Sequence, residues 1–197
     1  MIDAVPDRPD EAAWLHARER RWLPVLAVFA VILFTTVGGY VAASLLATPA
    51  GPPVGFSGVV SVQPIAGWET AGPGTTEGHP YISLTRGIGT LVVVDWGPAT
   101  DAESLSVDVV EGVLGAEFEQ LSVSDELDTV TLADGTNGTR FRFVGVDPRS
   151  GGSIEGEVTV VVSPSGQGVV FIGLAPEGQL AFVDGDLRTM IDRAQVG

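Results

Sequence analysis

Apolar and polar positions divide this chain at once. Pro24 to Ala47, reading PVLAVFAVILFTTVGGYVAASLLA, carries no charge. As a helix rising roughly 1.5 Å per residue it would measure about 36 Å. A bilayer's hydrocarbon core is about 30 Å thick, so the pattern predicts one tilted transmembrane helix over 24–47. Ahead of it lies a charged tail, 1–23, in which EAAWLHARERRW favours helix and Asp10 is placed to cap it. Behind it, 48–58 (TPAGPPVGFSG) reads as a Pro/Gly linker, which extended at about 3.1 Å per residue would reach about 30 Å.

From 59 to 197 the periodicity switches between two and 3.6. A short strand is predicted near Val59–Gln63, then a turn with Trp68 as a core anchor, and a loop at 72–80 (GPGTTEGHP). Pro80–Arg86 and Thr90–Asp95 are strand formers separated by Gly87-Ile88-Gly89, the pattern of a hairpin. Thr100 or Asp101 offers an N-cap for a helix over 101–121. Its apolar rows are Leu105, Val109, Val113 and Val110, Leu114, Phe118, Leu121, with Gly112 and Gly115 set between them. Strand-like runs follow at 121–124, 129–133, 140–146 and 154–163, the turn ADGTNG falling before the third. VVFIGLAP reads as a buried strand, and 178–195 as a closing helix that Asp184-Gly185-Asp186 tends to split. A hairpin centred near Arg149 and Ser150 would set Arg142 opposite Glu157 and Arg140 opposite Thr159, a charge ladder across the strands. The order predicts an α+β domain over 59–197: an antiparallel sheet with two packing helices, after one N-terminal transmembrane helix.

Charge gives the span a direction. Four Arg and five acids precede it, with Arg18, Arg20 and Arg21 directly before the apolar run and Trp22 at its edge, while no charge appears downstream until Glu69. The positive-inside rule then puts the N-terminus in the cytoplasm and the domain outside the cell membrane. A cleaved signal peptide is the competing reading, but its apolar core would run to about 7–15 residues. Prolines at 49, 52 and 53 also spoil the small-residue site near Ala47 and Ala50. Thr35, Gly39, Ala43 and Ala47 recur on one face, a stripe that suits pairing with a second copy or with a neighbouring membrane helix. The domain carries six Arg against twenty acids, a net of −14. That field repels nucleic acid and favours cationic partners or free solubility.

Composition removes several chemistries. Cysteine is absent, which excludes disulfides, thiolate metal sites, a cysteine nucleophile and a lipidated cysteine, so the span itself must attach the protein. Lysine is absent too, which removes a P-loop; Gly87-Ile88-Gly89 lacks the third glycine of a dinucleotide site. His79, the one histidine beyond the span, reads as an exposed loop residue and cannot make a clustered zinc site alone. Asp125, Glu126 and Asp128 cluster, as do Glu117 and Glu119, but without the ligand alternation of a calcium loop. Paired carboxylates serve glycoside hydrolysis only across a cleft. Asn137-Gly138-Thr139 matches a glycosylation sequon, its Asn-Gly better read as a turn. No catalytic, metal or cofactor residue is assigned.

The run VVSVQPIAGWETAG with YISLTRGIGTLVVVDW resembles the start of the Mog1/PsbP-like superfamily, in which a strand ends in a Pro-x-x-Gly-Trp turn before a hairpin; here that turn is Pro64-Ile65-Ala66-Gly67-Trp68. The closing GQGVVFIGLAPEGQLAFVDGDLRTMIDRAQV resembles its last strand and C-terminal helix. The resemblance spans about 58–195 and is to the actinobacterial extracytoplasmic type, with a transmembrane anchor replacing the lipidated cysteine. It implies a sandwich acting as a non-enzymatic binding or assembly module in the cell envelope, and it transfers no catalytic residue. Two further functions stay open: a carrier for a small apolar or envelope-lipid ligand between helix 101–121 and the sheet, and an acid-cluster hydrolase.

Overall fold

The computed structural model describes residues 51–197. The tail, the span at 24–47 with its Thr35, Gly39, Ala43 and Ala47 stripe, and the start of the linker lie outside the described residues. Among the described residues no helix is long and apolar enough to cross a membrane.

The strands are β1 (Val54–Phe56), β2 (Val60–Val62), β3 (Glu69–Thr76), β4 (His79–Arg86), β5 (Gly89–Pro98), β6 (Glu119–Val123), β7 (Asp128–Thr131), β8 (Asn137–Val146), β9 (Ser153–Val162), β10 (Gln167–Pro176) and β11 (Gln195–Val196). Between β5 and β6 run α1 (Ala102–Val109), a π-helical turn (Val110–Leu114) and α2 (Gly115–Glu117). Between β10 and β11 lie a 3₁₀ turn (Leu180–Phe182) and α3 (Asp184–Asp192). One large antiparallel sheet runs β3-β4-β5-β10-β9-β8-β6, with β7 also paired to β8; a small sheet runs β1-β2-β11.

Alternation along β10 builds the core on both faces of the large sheet. Val169, Phe171 and Ala175 join one cluster with Trp68, Leu187 and Met190, while Val170 and Ile172 join another with Leu105, Val109 and Leu114. α1 therefore covers one face and α3, with the small sheet, the other. Glycines set the close approach: a Cβ at Gly168 would stand 2.7 Å from a Leu105 methyl, and one at Gly173 2.8 Å from a Leu187 methyl.

Several sequence expectations change. Residues 54–56 leave the expected linker and pair with β2, and Gly51 N–H donates to Pro64 O, so the domain begins before residue 59. The loop expected at 72–80 is the β3–β4 hairpin, turning on Glu77 (φ 48°) and Gly78 (φ 84°). β3 is an edge strand, which tolerates its Gly and Pro73, and that polarity hid it. The helix expected to 121 ends at Glu117, because Phe118 turns extended to pack on Phe143 and β6 pairs with β8. The closing helix breaks at Val183, so that Asp184-Gly185-Asp186 starts α3 and Asp184 and Asp186 lie in its first turn, where helix dipoles favour acids. Residues 195–196 pair with β2 instead. Asn137 and Gly138 lie within β8, where Asn137 Oδ1 accepts from Thr131; the turn is made by the residues before them.

The β4–β5 hairpin, the α1 cap at Asp101 and the register of Arg142 on Glu157 and Arg140 on Thr159 follow expectation. Asp101 accepts from Ser104 N at 2.7 Å, and this backbone bond holds its carboxyl below the usual carboxylate range.

Candidate functional site

α1 packs over β8 and β9. After α1 the backbone widens into the π turn, which carries Val113 and Leu114, both buried. π turns inside helices recur at functional sites because they shift side chains off the regular register. Val113 and Leu114 of this turn line a groove between the helix end and the sheet. One part, about 350 Å³, has Val92, Val94, Ile172 and Leu174 on its floor and Val113 and Phe118 on its wall. An adjoining part, about 360 Å³, continues past Thr90 and Leu174 to Ile154 and Ile88. Thr90, Glu117, Phe118, Leu174 and Arg149 line both.

The rim is ionic. Glu117 accepts a hydrogen bond from Thr76 Oγ1 at 3.3 Å and lies 3.8 Å from Arg149 Nη2. Arg149 is 85% exposed, so this pair is loosely held and screened. Asp147 beside it accepts from Ser150 Oγ, a bond that holds its carboxyl below the usual range. An apolar floor with a few polar and charged groups at the rim is the usual make-up of a binding groove. The sequence left a ligand between this helix and the sheet as an alternative reading; it did not mark Arg149 as a groove residue, since its position in a turn gave no such signal.

The opposite face holds a buried ionic centre. Glu157 is 4% exposed and meets three guanidinium groups: Arg140 Nε at 3.2 Å, Arg142 Nε at 3.3 Å and Arg188 Nη2 at 2.5 Å. Arg140 also donates to Thr159 and Asp192, and Arg188 to Asp184. The expected ladder is thus a desolvated network that α3 closes, more than a surface pairing. The Glu157 bonds raise the Arg188 guanidinium further above its ordinary value. With both oxygens held by arginines, Glu157 is an ion-pair acceptor with no free lone-pair geometry for proton transfer.

The other flagged residues are dispersed. His79 is the first residue of β4 and stacks on Trp96 across the hairpin, centroids 4.1 Å apart and planes at 11°, which replaces the exposed-loop reading. Trp68 is buried as expected, and its Nε1 donates to Asp186 Oδ2 at 3.2 Å. Glu117 and Glu119 separate, one on the groove rim and one in β6. Among the described residues no group of three or more His, Asp or Glu is placed to hold a metal ion.

Comparison with solved structures gives the fold. Cyanobacterial PsbP from Synechocystis matches with a TM-score of 0.52 at 11% identity, covering 77% of this chain and 95% of that one. The domain shares the PsbP fold. The Ran-binding protein Mog1p of Saccharomyces cerevisiae (TM-score 0.48, 13% identity, 75% of this chain and 95% of that one) is also similar. So is LpqN of Mycobacterium tuberculosis, a protein involved in cell envelope biogenesis (0.47, 15%, 74% and 89%). No family model matches the chain, and a search of curated proteins returns no relative.

Proposed function

We propose that the chain is a single-pass membrane protein whose α+β domain is a non-catalytic binding or assembly module on the extracytoplasmic side. In this reading residues 24–47 hold it in the cell membrane with the N-terminus in the cytoplasm. The uncharged span, the Arg18, Arg20 and Arg21 cluster before it and the charge-free stretch to Glu69 support that topology. The observation that carries the binding role is the apolar-floored groove lined by the π turn, with Arg149 and Glu117 at its rim.

The same groove favours a second reading, carriage of a small apolar ligand. The part under the helix end, about 350 Å³, falls in the size range of small-molecule pockets, and the helix–sheet interface is not filled there. One experiment separates the two. Tagged full-length chain is crosslinked in native membranes and recovered beside a Leu174→Glu variant, which puts a charge on the groove floor. A partner protein recovered with wild type and lost with the variant supports assembly. A co-purifying apolar molecule lost with the variant supports carriage. Identical recovery from both removes the groove as the binding site.

Lateral pairing through Thr35, Gly39, Ala43 and Ala47 belongs to the same proposal. Gly39→Ile should abolish self-association in a membrane reporter assay, and unchanged association would remove the stripe as an interface.

A further inference from the structure

A second concave surface lies on the α3 face, away from the groove. Arg140, Arg142 and Val144 of β8 point to this face, alternating with Phe141 and Phe143, which pack under α1. One cavity here, about 200 Å³, is lined by Glu126, Asp128, Arg140, Arg142 and Arg188 around Glu157. The next, about 410 Å³, is lined by Val144, Glu155, Leu180, Ala181 and Asp184. Ser124 and Arg142 line both, so the two are ends of one channel crossing β8.

The ends differ in chemistry. At the small end the three guanidinium groups are already matched by Glu157, Asp184 and Asp192. Glu126 and Asp128 are exposed and pair with no described arginine, which leaves that end acidic. At the large end Val144, Leu180 and Ala181 form an apolar wall beside Glu155 and Asp184. Val144, on this wall, is among the large hydrophobic side chains most exposed among the described residues (38%). An anionic occupant would have to compete with Glu157 for guanidiniums inside a desolvated network, which is costly. A cationic one meets the two unpaired carboxylates within a domain of net charge −14.

We infer that this channel docks an extended segment of another protein, placing an Arg or Lys side chain between Glu126 and Asp128 and an apolar side chain over Val144 and Ala181. The inference is independent of the groove under the π turn, which lies on the other face.

The test uses full-length chain in non-ionic detergent micelles and a fluorescein-labelled peptide of alternating arginine and leucine, read by anisotropy against empty micelles. The double variant E126Q/D128N should weaken binding about tenfold. V144S should weaken it separately. The double variant E103Q/E111Q, which removes the same charge from the opposite face, should change it less than about twofold. Equal loss in both double variants would reduce the effect to the diffuse field of the domain and overturn the proposal. So would equal affinity for a peptide of alternating glutamate and leucine. Concentration-dependent self-assembly that V144S abolishes would assign the channel to a second copy and likewise overturn it.

Discussion

Arg140 Nε stands 3.2 Å from Glu157 Oε1, with the two side chains only 10% and 5% exposed. They sit on adjacent strands two residues from being directly opposite, since Arg140 faces Thr159 and Arg142 faces Glu157. The buried carboxylate therefore gathers the arginine diagonal to it, the one opposite it and Arg188 from α3. Glu157 thus fastens three separate elements, β8, β9 and α3, at one point.

Removing Glu157 should be severe for stability. Glu157→Gln leaves Arg140 and Arg188 inside the interface with one compensating charge fewer, at a cost of about 3 kcal/mol. Arg188→Met should cost about 1 kcal/mol, because Arg188 is 37% exposed and solvent screens its charge. Urea unfolding of the two variants checks the order; equal midpoints would show that the network is not centred on Glu157.

Asp134 ties the C-terminal strand to the β7–β8 turn, accepting from Val196 N at 2.7 Å and Thr136 N at 2.8 Å. Burial pushes its carboxyl up, but these amide bonds outweigh burial and hold it below the ordinary value. A carboxyl depressed on folding adds stability that is complete above its unfolded pKa of about 3.9 and is lost as pH falls through the folded value. Asp134→Asn turns one acceptor into a donor facing an amide and should cost about 1 kcal/mol at pH 7. Thermal melts should show that gap closing below about pH 4. A gap independent of pH would mean the charge is not involved.

Gly173 is where α3 meets β10. A methyl there would stand 2.8 Å from Leu187 Cδ1, a flexible neighbour, so Gly173→Ala should destabilise by about 1 kcal/mol through overpacking. Leu187→Ala should cost about 3 kcal/mol by opening a cavity against the same strand. Denaturant midpoints that rank them the other way would contradict the packing described.

Orientation can be read directly. In intact cells, added protease should digest a tag at Gly197 and spare one at Met1; inverted vesicles should reverse the pattern. Digestion of the Met1 tag alone in intact cells would contradict the proposed topology.

How far the sequence disclosed this molecule depended on the range of the forces at each position. The β4–β5 hairpin and the α1 cap are set by neighbours, and Arg142 met Glu157 because a short turn carries its register to the strands beyond. β3 was invisible because an edge strand needs no apolar face, and its Gly-Pro-Gly run looks like loop. Phe118 and Leu121 continued a helical apolar row, yet pairing of β6 with β8 claimed that stretch for the sheet. The site divided in the same way. The sequence placed a helix against the sheet here, whereas the π turn and the meeting of Arg149 with Glu117 depend on tertiary packing that no local spacing encodes. The burial of Glu157 was equally hidden, since α3 supplies Arg188 from 31 residues downstream.

The central claim is that the groove beneath the π turn is where this domain binds. Photo-crosslinking residues placed singly at Thr90 and Leu174, on the groove floor, and at Glu103 and Val107, on the exposed side of α1, test it in native membranes. Adducts at Thr90 and Leu174 but not at Glu103 or Val107 are predicted. Adducts confined to α1, or none at the groove positions in well-folded protein, would contradict it.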